Sequence, residues 1–387
     1  MSYPSDPQEN KKGNIYQARQ EKLTTALKNE KLDALILNPG PSLIYFTGMH
    51  FHLSERPVVV ILTTDNPPSI ILPELETQKM EALSFSVQAF PYGENPLTWQ
   101  SVFNAAMKFA REDSASETPT IGVEPRRLRY LELSFIQKAA PGAQIIPDNT
   151  TIPSLRMHKD EQEISAMRRA VDIAQNALSN TLPSIKIGVS ERQIANELTL
   201  QLLKAGSDPQ FPFSPIVSGG ANSANPHATP TNRILKEGDL LVIDWGASYM
   251  GYISDITRTF AMVEVDPEYA LIAETVNEAN IAGRRIIRPG ATASEVDQAA
   301  RIVIENAGYG QYFTHRTGHG IGMEGHEPPY IRSDNQLPLK QGMTFTVEPG
   351  IYLPGRGGVR IEDDVLVTDT GGESLTNLPR ALHVINH

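Results

Sequence analysis

"LLVIDWGASYMGYISDITRTF" (residues 240–260) and "MTFTVEPGIYLPGRGGVRIEDDVLV" (residues 343–367) decide how the second part of this chain is read. Each opens with an apolar run ending in a carboxylate, Asp244 or Glu348, at an offset of 104, and each has a glycine two residues later, Gly246 or Gly350. After a glycine-bearing turn, each returns with a second acid, Asp255 or Glu362. The repeat extends upstream. "AVDIAQNALSNTLPSIKIGVSERQIANEL" and "TVNEANIAGRRIIRPGATASEVDQAARIV" both run helix, turn, helix, and Gly188, Ser190 and Ile194 match Gly290, Thr292 and Val296 at an offset of 102. Two copies of one half-domain therefore place four acids equivalently.

A carboxylate at the end of a strand that is otherwise "LLVI" or "TFTV" is costly to bury unless it is paired or holds a cation. If each segment is a hairpin, its two acids face each other across the ladder, where opposed Cβ atoms lie about 4.5–5.5 Å apart. Four such acids repel unless neutralised. A pair of divalent cations about 3.5–4 Å apart, bridged by carboxylates, uses them all. Any one of these acids alone reads better as a strand-end residue satisfied by water, Lys or Arg; the joint pattern argues otherwise.

Between the two hairpins lies "THRTGHGIGMEGHEPP" (residues 314–329), with three of the nine histidines of the chain. The chain has no cysteine, so His, Asp and Glu must hold any metal, and imidazole is the nitrogen ligand on offer. His315 and His319 have the i, i+4 spacing of a helical metal pair, but Gly318, Gly320 and Gly322 make a helix improbable. Irregular backbone or strand passing close to something bulky fits better. The reading gives one histidine to a metal and another to a place facing substrate. A dinucleotide-binding loop is the rival for "GHGIGMEG", a weak one without a preceding strand and following helix.

The rest of the chain bounds the class of protein. Of the 387 residues, 40% are hydrophobic and 20% charged, ordinary globular usage with room for two domains. No apolar stretch reaches the roughly 18 residues of a membrane span, and "MSYPSDPQENKKGN" lacks the apolar core of a signal peptide. A cytoplasmic protein with a disordered start over residues 1–14 is expected. A net charge of −11 argues against nucleic-acid or membrane binding. The first third reads as a helix near 15–30, then "LDALIL", "SLIYFTG", "VVVILTT" and "SIILPE" as strands, a helix near 98–112, and the strand "IGVE". Asp160 and Glu163 have capping-box spacing before a new helix, so the domains are expected at 15–155 and 156–387.

These residues resemble the pita-bread metallopeptidases, in the branch of aminopeptidase P and prolidase that acts on Xaa-Pro bonds. The specific motifs are Asp, ten residues, Asp; the histidine of "GHGIG"; and the glutamates of "EPG" and "RIED". The resemblance implies an α+β fold of two α/β-type domains: a creatinase/prolidase-like N-terminal domain, then a pseudosymmetric pita-bread catalytic domain. It implies a dinuclear site of Asp244, Asp255, His319, Glu348 and Glu362. His227, seventeen residues before Asp244, and His326, seven after His319, match the family's catalytic histidines. His315 matches a histidine on the proline side, and Arg360 an arginine beside the last ligand. One departure is "GMEGHE" where the family often has "GLDVHE".

The implied activity is hydrolysis of the peptide bond preceding proline, as an Xaa-Pro aminopeptidase or dipeptidase, by a metal-bridging hydroxide. Glu348 would shuttle the proton, His326 would offset oxyanion charge and His227 would position the substrate. Four carboxylates and one imidazole form an oxygen-rich set, so manganese is the first choice of metal, with cobalt or zinc able to replace it. Substrates are peptides with proline in the second position, and a homodimer is expected. Two alternatives stay open: another amide hydrolase of the same fold, such as creatinase, and a metal-free pita-bread binding protein. The five ligands weigh against both.

Overall fold

A computed structural model of the chain describes residues 9–112 and 117–386. The chain divides into two units, Met1–Leu155 and Arg156–His387. Of the expected disordered start, residues 1–8 lie outside the described residues, whereas residues 9–14 already belong to the first helix.

The first unit contains helices α1 (Glu9–Glu30), α2 (Pro41–Thr47), α3 (Trp99–Ala110), α4 (Tyr130–Ala139) and α5 (Thr151–Arg156). Its strands are β1 (Ala34–Leu37), β2 (Val59–Thr63), β3 (Ser69–Pro73), β4 (Gln88–Tyr92), β5 (Thr120–Val123) and β6 (Gln144–Pro147). They form one mixed sheet in the order β4-β3-β2-β1-β5-β6. Short runs such as "ALIL" are buried throughout, as a sheet covered on both faces requires. Ile36, Ile61 and Ile121 of the sheet pack with Trp99, Phe103 and Met107 of α3. "SLIYFTG", expected as a strand, is instead the body of α2. Pro41 presets its first turn, and Gly48 at φ 72 closes it by donating its N–H to Ile44 O at 2.7 Å. Those two caps outweigh the β preference of Ile44, Tyr45 and Phe46.

The second unit has four long helices, α6 (Glu161–Thr181), α7 (Glu191–Lys204), α8 (Pro267–Arg285) and α9 (Ala293–Asn306), in two packed pairs. Asp160 and Glu163 do form the capping box that starts α6. The second helix of each pair opens on a capping box too, Ser190 with Gln193 and Thr292 with Glu295. Two residues before each box stands a left-handed glycine, Gly188 at φ +88 and Gly290 at φ +89. Matched caps and matched backbone torsions are what a duplicated half-domain should retain.

The strands of this unit are β7 (Ile216–Gly219), β8 (Leu240–Trp245), β9 (Ser248–Tyr249), β10 (Tyr252–Ile253), β11 (Ile256–Met262), β12 (Gly318–Gly320), β13 (Glu327–Ile331), β14 (Thr344–Val347), β15 (Gly350–Leu353), β16 (Gly357–Arg360), β17 (Asp363–Val367), β18 (Gly372–Ser374) and β19 (His383–Ile385). One sheet runs β19-β11-β8-β7 and the other β13-β12-β14-β17-β18. Each half lays its helix pair against its own sheet. Trp245 anchors the first, fully buried, with Nε1–H donating to Ala174 O of α6 at 2.9 Å. In the second half Gly283 of α8 lies on Val347, and Val296 of α9 packs with Phe345 and Val347. An isolated bridge between Thr257 and Glu362 joins the two halves. No described helix is long and apolar enough to cross a membrane.

Candidate metal centre

The four acids do not sit as two directly opposed pairs. In the first half the ladder sets Asp244 opposite Thr257, leaving Asp255 just before β11 begins. In the second, Val347 pairs with Asp363, so the ladder stops short of both Glu348 and Glu362. What gathers the acids is the contact between halves. Glu362 donates its backbone N–H to Thr257 O at 3.1 Å and accepts from Thr257 Oγ1 at 2.7 Å. Asp255 N–H donates to Asp364 Oδ2 at 3.1 Å, tying the first half to β17. Gly246 lets the chain fold over itself here, since a Cβ at that position would lie 2.0 Å from Ser254 O.

His319 enters on β12, which is squeezed between β13 and β14. A Cβ on Gly318 would stand 1.9 Å from Thr346 O, and one on Gly320 2.2 Å from Pro328 O. Glycine alternates in this segment because neighbouring strands leave no room for side chains on that face. His319 Nδ1 lies 3.2 Å from Gly320 O, so it carries the proton and donates it there, leaving Nε2 as a bare lone pair. Nε2 stands 3.4 Å from Glu348 Oε1 and 3.7 Å from Asp255 Oδ2. Single donor atoms of Asp255, His319 and Glu362 lie within 4.8 Å of one another, a spacing one divalent ion can bridge with little movement.

The electrostatics match that geometry. Burial first, then Glu362 and Asp244, push the Asp255 carboxyl well above the usual carboxylate range. Glu362 is raised by burial and by Glu348 and Asp244. Burial drives Glu348 up to about 8, although Arg360 draws it back. Burial holds the His319 imidazole well below its ordinary value, with His326 adding to the effect. Asp244 Oδ2 accepts from Arg360 Nη2 at 2.7 Å, while its Oδ1 is buried with no hydrogen-bond partner. Carboxylates that raise one another's pKa, an orphaned carboxylate oxygen and an imidazole presenting a lone pair form a donor set that fits divalent cations.

The remaining candidates adjoin this cluster. Arg360 also donates from Nε to Thr257 Oγ1 at 3.1 Å and from Nη1 to the Tyr352 hydroxyl oxygen at 2.9 Å. Tyr352 therefore spends its own hydroxyl proton on His315 Nε2, 2.9 Å away, since His315 Nδ1 donates to Arg316 O at 2.7 Å. This chain fixes His315 as a neutral imidazole, and burial lowers its pKa to about 4. Tyr352, which sequence reasoning did not single out, thus links Arg360 to His315; its signal was its place in "EPGIYLP", two residues beyond Gly350. The His326 ring lies 4.0 Å from that of His319, centroid to centroid. Next to it, Glu327 is buried in ion pairs with Arg156 at 2.6 Å and Lys159 at 2.7 Å, which hold the segment in place.

His227 is exposed on the loop after β7, close enough to His315 to help depress its pKa. Glu191, fully buried at the first turn of α7, holds that loop. It accepts from Gly219 N at 2.8 Å, Asn222 Nδ2 at 2.9 Å, Thr231 N at 2.9 Å and Thr231 Oγ1 at 2.6 Å. The counterpart of Glu191 in the second half, at the 102-residue offset, is Ala293, so this device belongs to the first half alone.

Known proteins give this arrangement its relatives. Residues 165–369 match the model of metallopeptidase family M24, and residues 19–158 that of the creatinase/prolidase N-terminal domain. The chain is 33% identical over 366 residues to the Xaa-Pro dipeptidase of Lactobacillus helveticus, covering 94% of this chain and 98% of that protein. Among solved structures it is similar to the prolidase of Thermococcus sibiricus, at a TM-score of 0.89 and 33% identity over 96% of this chain and 99% of the other. The X-Pro aminopeptidase of Thermotoga maritima superposes with a TM-score of 0.81 at 32% identity, over 95% of this chain and 99% of the other. The architecture is thus a creatinase/prolidase N-terminal domain followed by a pita-bread catalytic domain, and the chain belongs to metallopeptidase family M24.

Proposed function

We propose that this metallopeptidase hydrolyses the peptide bond preceding proline, with two divalent cations held by Asp244, Asp255, His319, Glu348 and Glu362. One observation carries the proposal: four carboxylates and an imidazole converge around a region where, among the described residues, the only buried cationic side chain bonded to an acid of the cluster is Arg360, on Asp244. One arginine leaves most of that negative charge uncompensated. When bound, the cations supply a water acidic enough, near pH 7, to serve as the nucleophile. Manganese suits the oxygen-rich set, with cobalt or zinc as substitutes.

The chain's own groups do the rest. Glu348, buried beside His319, would take the proton from the attacking water and pass it to the departing prolyl nitrogen. His326, beside His319, donates toward the oxygen that gains charge as the carbonyl carbon is attacked. His227 orients the substrate backbone from its loop. Proline removes the N–H at the scissile bond and holds φ near −65°, so a subsite built for it needs shape more than donors. His315, neutral and fixed by Tyr352, offers such a wall.

The test compares Ala-Pro with Ala-Ala peptides in the presence of Mn²⁺ and after chelation, together with metal analysis. Hydrolysis of the prolyl peptide should be at least about tenfold faster in kcat/KM, with two ions per chain lost along with activity on chelation. Equal rates would reduce the assignment to a general aminopeptidase, and full activity with one ion would remove the dinuclear mechanism.

A further inference from the structure

The mechanism above uses one residue of "GMEGHE" (residues 322–327), His326. Its side chain is exposed, whereas Glu327 directly after it is buried. An exposed imidazole gains little order from packing, so the backbone that carries it has to be held. Gly325, directly before it, does the opposite. A Cβ there would meet only Ile253 Cδ1, at 3.9 Å, and its φ lies outside the left-handed region, so neither space nor torsion calls for glycine. What glycine brings to the position is backbone freedom.

Arg156, at the start of the second unit, spans this weak point. Its Nη1 donates to Glu324 Oε2 at 2.8 Å and its Nη2 to Glu327 Oε2 at 2.6 Å, so one planar guanidinium ties both flanks of Gly325 and His326 together. The other oxygen of Glu327 accepts from Lys159 Nζ at 2.7 Å. Gly322 makes room for the cluster, since a Cβ there would lie 2.6 Å from Glu327 Oε1 and 2.7 Å from Lys159 Cε. Two carboxylates meet two cations here, so the charge is compensated from within, unlike that of the metal centre.

The cations are also fixed relative to that centre. Lys159 N–H donates to Gly342 O at 2.9 Å, and Gly342, at φ +84, leads into β14, the strand that ends just before Glu348. The strand that delivers Glu348 thus helps to locate the residues gripping the His326 segment. We propose that Arg156 is a positioning residue for the reaction: by bridging Glu324 and Glu327 it holds the Gly325–His326 segment so that the imidazole stands at the scissile carbonyl. The inference rests on the oxyanion role given to His326 above and adds what keeps that group in place. A guanidinium fork can bond two carboxylates at once in fixed geometry, which an ammonium on a flexible stem does not reproduce. A catalytic group displaced by about 1 Å can lose about a hundredfold in rate.

The experiment measures kcat and KM on Ala-Pro, bound Mn²⁺ and the thermal midpoint for Arg156→Lys and Glu324→Ala, each with and without Gly325→Ala. Arg156→Lys should lower kcat about tenfold to a hundredfold, with KM within about twofold and both ions retained. Glu324→Ala unties one flank at a partly exposed position and should act in the same way, which keeps the test open if Arg156→Lys does not fold. Adding Gly325→Ala should raise kcat of either variant at least about threefold more than it changes that of the unmodified protein, because it limits the motion that the lost bridge allows. Arg156→Lys and Glu324→Ala combined should lose no more than Arg156→Lys alone, since both cut one bridge. A lowered midpoint with kcat kept would overturn the proposal, because Arg156 would then serve stability alone. Loss of metal, or no recovery with Gly325→Ala, would overturn it too. Full kcat in His326→Ala would remove the reading beneath the proposal and the proposal with it.

Discussion

Glu362 and Asp363 are neighbours in sequence, both buried, and the protein treats them in opposite ways. Asp363 accepts from Arg258 Nη2 at 2.8 Å, Arg380 Nε at 2.6 Å and Thr376 Oγ1 at 2.6 Å. Burial pushes its carboxyl up, but Arg258 and Arg380 overcome that and hold it at about 2. Glu362 has the hydroxyl of Thr257 and the field of Arg360, but burial and the carboxylates of Glu348 and Asp244 outweigh both and raise it. A buried acid that is given arginines is part of the scaffold. A buried acid grouped with other acids waits for a cation from outside, and this separates the centre from the ion-pair network beside it.

Substitution should pull the two apart most. Glu362→Gln removes a donor from the centre and should lower turnover on the order of a thousandfold, more than the loss of one transition-state hydrogen bond. Its thermal midpoint without metal should be unchanged or higher, because repulsion is relieved. Asp363→Asn leaves Arg258 and Arg380 without their acceptor in a buried site and should cost about 3–5 kcal/mol of stability. Chemical denaturation and metal analysis of both variants check this. Equal destabilisation by the two would erase the distinction.

The two adjacent imidazoles sharpen the boundary of the centre. His319→Ala should lose metal, since it removes the nitrogen donor. His326→Ala should retain both ions while kcat falls about a hundredfold. An emptied site in His326→Ala would exchange the two roles.

The smallest effect is a pair of opposite pH dependences. Glu348 has a folded pKa of about 8, above its ordinary value, so its contribution to stability is present in acid and lost as pH rises toward 8. Asp363 at about 2 lies below its ordinary value, so its contribution is present at neutral pH and lost as pH falls toward 2. His315 at about 4 and the buried His319 both lie below the ordinary imidazole value, so stability also falls as pH drops below about 6.5, and chelated protein should melt highest near pH 6, lower by a few degrees at pH 8, and lower again below pH 4. Glu348→Gln should flatten the upper arm and Asp363→Asn the lower, and added Mn²⁺ should also flatten the upper arm. A melting curve that rises steadily from pH 5 to pH 8 without metal would contradict the raised pKa of the centre.

Much of this was readable in one dimension. The 102- and 104-residue offsets exposed the duplication, because matched turns need matched glycines and capping residues whatever lies around them. The 104-residue offset picked out Asp244 and Glu348, and the return after each glycine-bearing turn picked out Asp255 and Glu362, since an acid closing an apolar run is costly wherever it occurs. The absence of cysteine directed attention to His319. Local caps, by contrast, decided α2 against the β preference of "LIYF", a contest sequence patterns judge poorly.

What the sequence by itself determined is therefore the inventory: two half-domains, four displaced acids, and imidazoles in a glycine-rich segment. Tertiary structure decided the allocation. The register of β8 with β11 and the bridge from Thr257 to Glu362 bring the acids together across the halves, not within each hairpin. The guanidinium groups of Arg258 and Arg380, far from residue 363 along the chain or beyond a turn, determine that Asp363 and not Glu362 is neutralised from within. The hydroxyl of Tyr352 ties Arg360 to His315. Charge acts through space over a few ångströms, so a carboxylate's role depends on which cation folding brings to it, and that cannot be read from its neighbours in sequence.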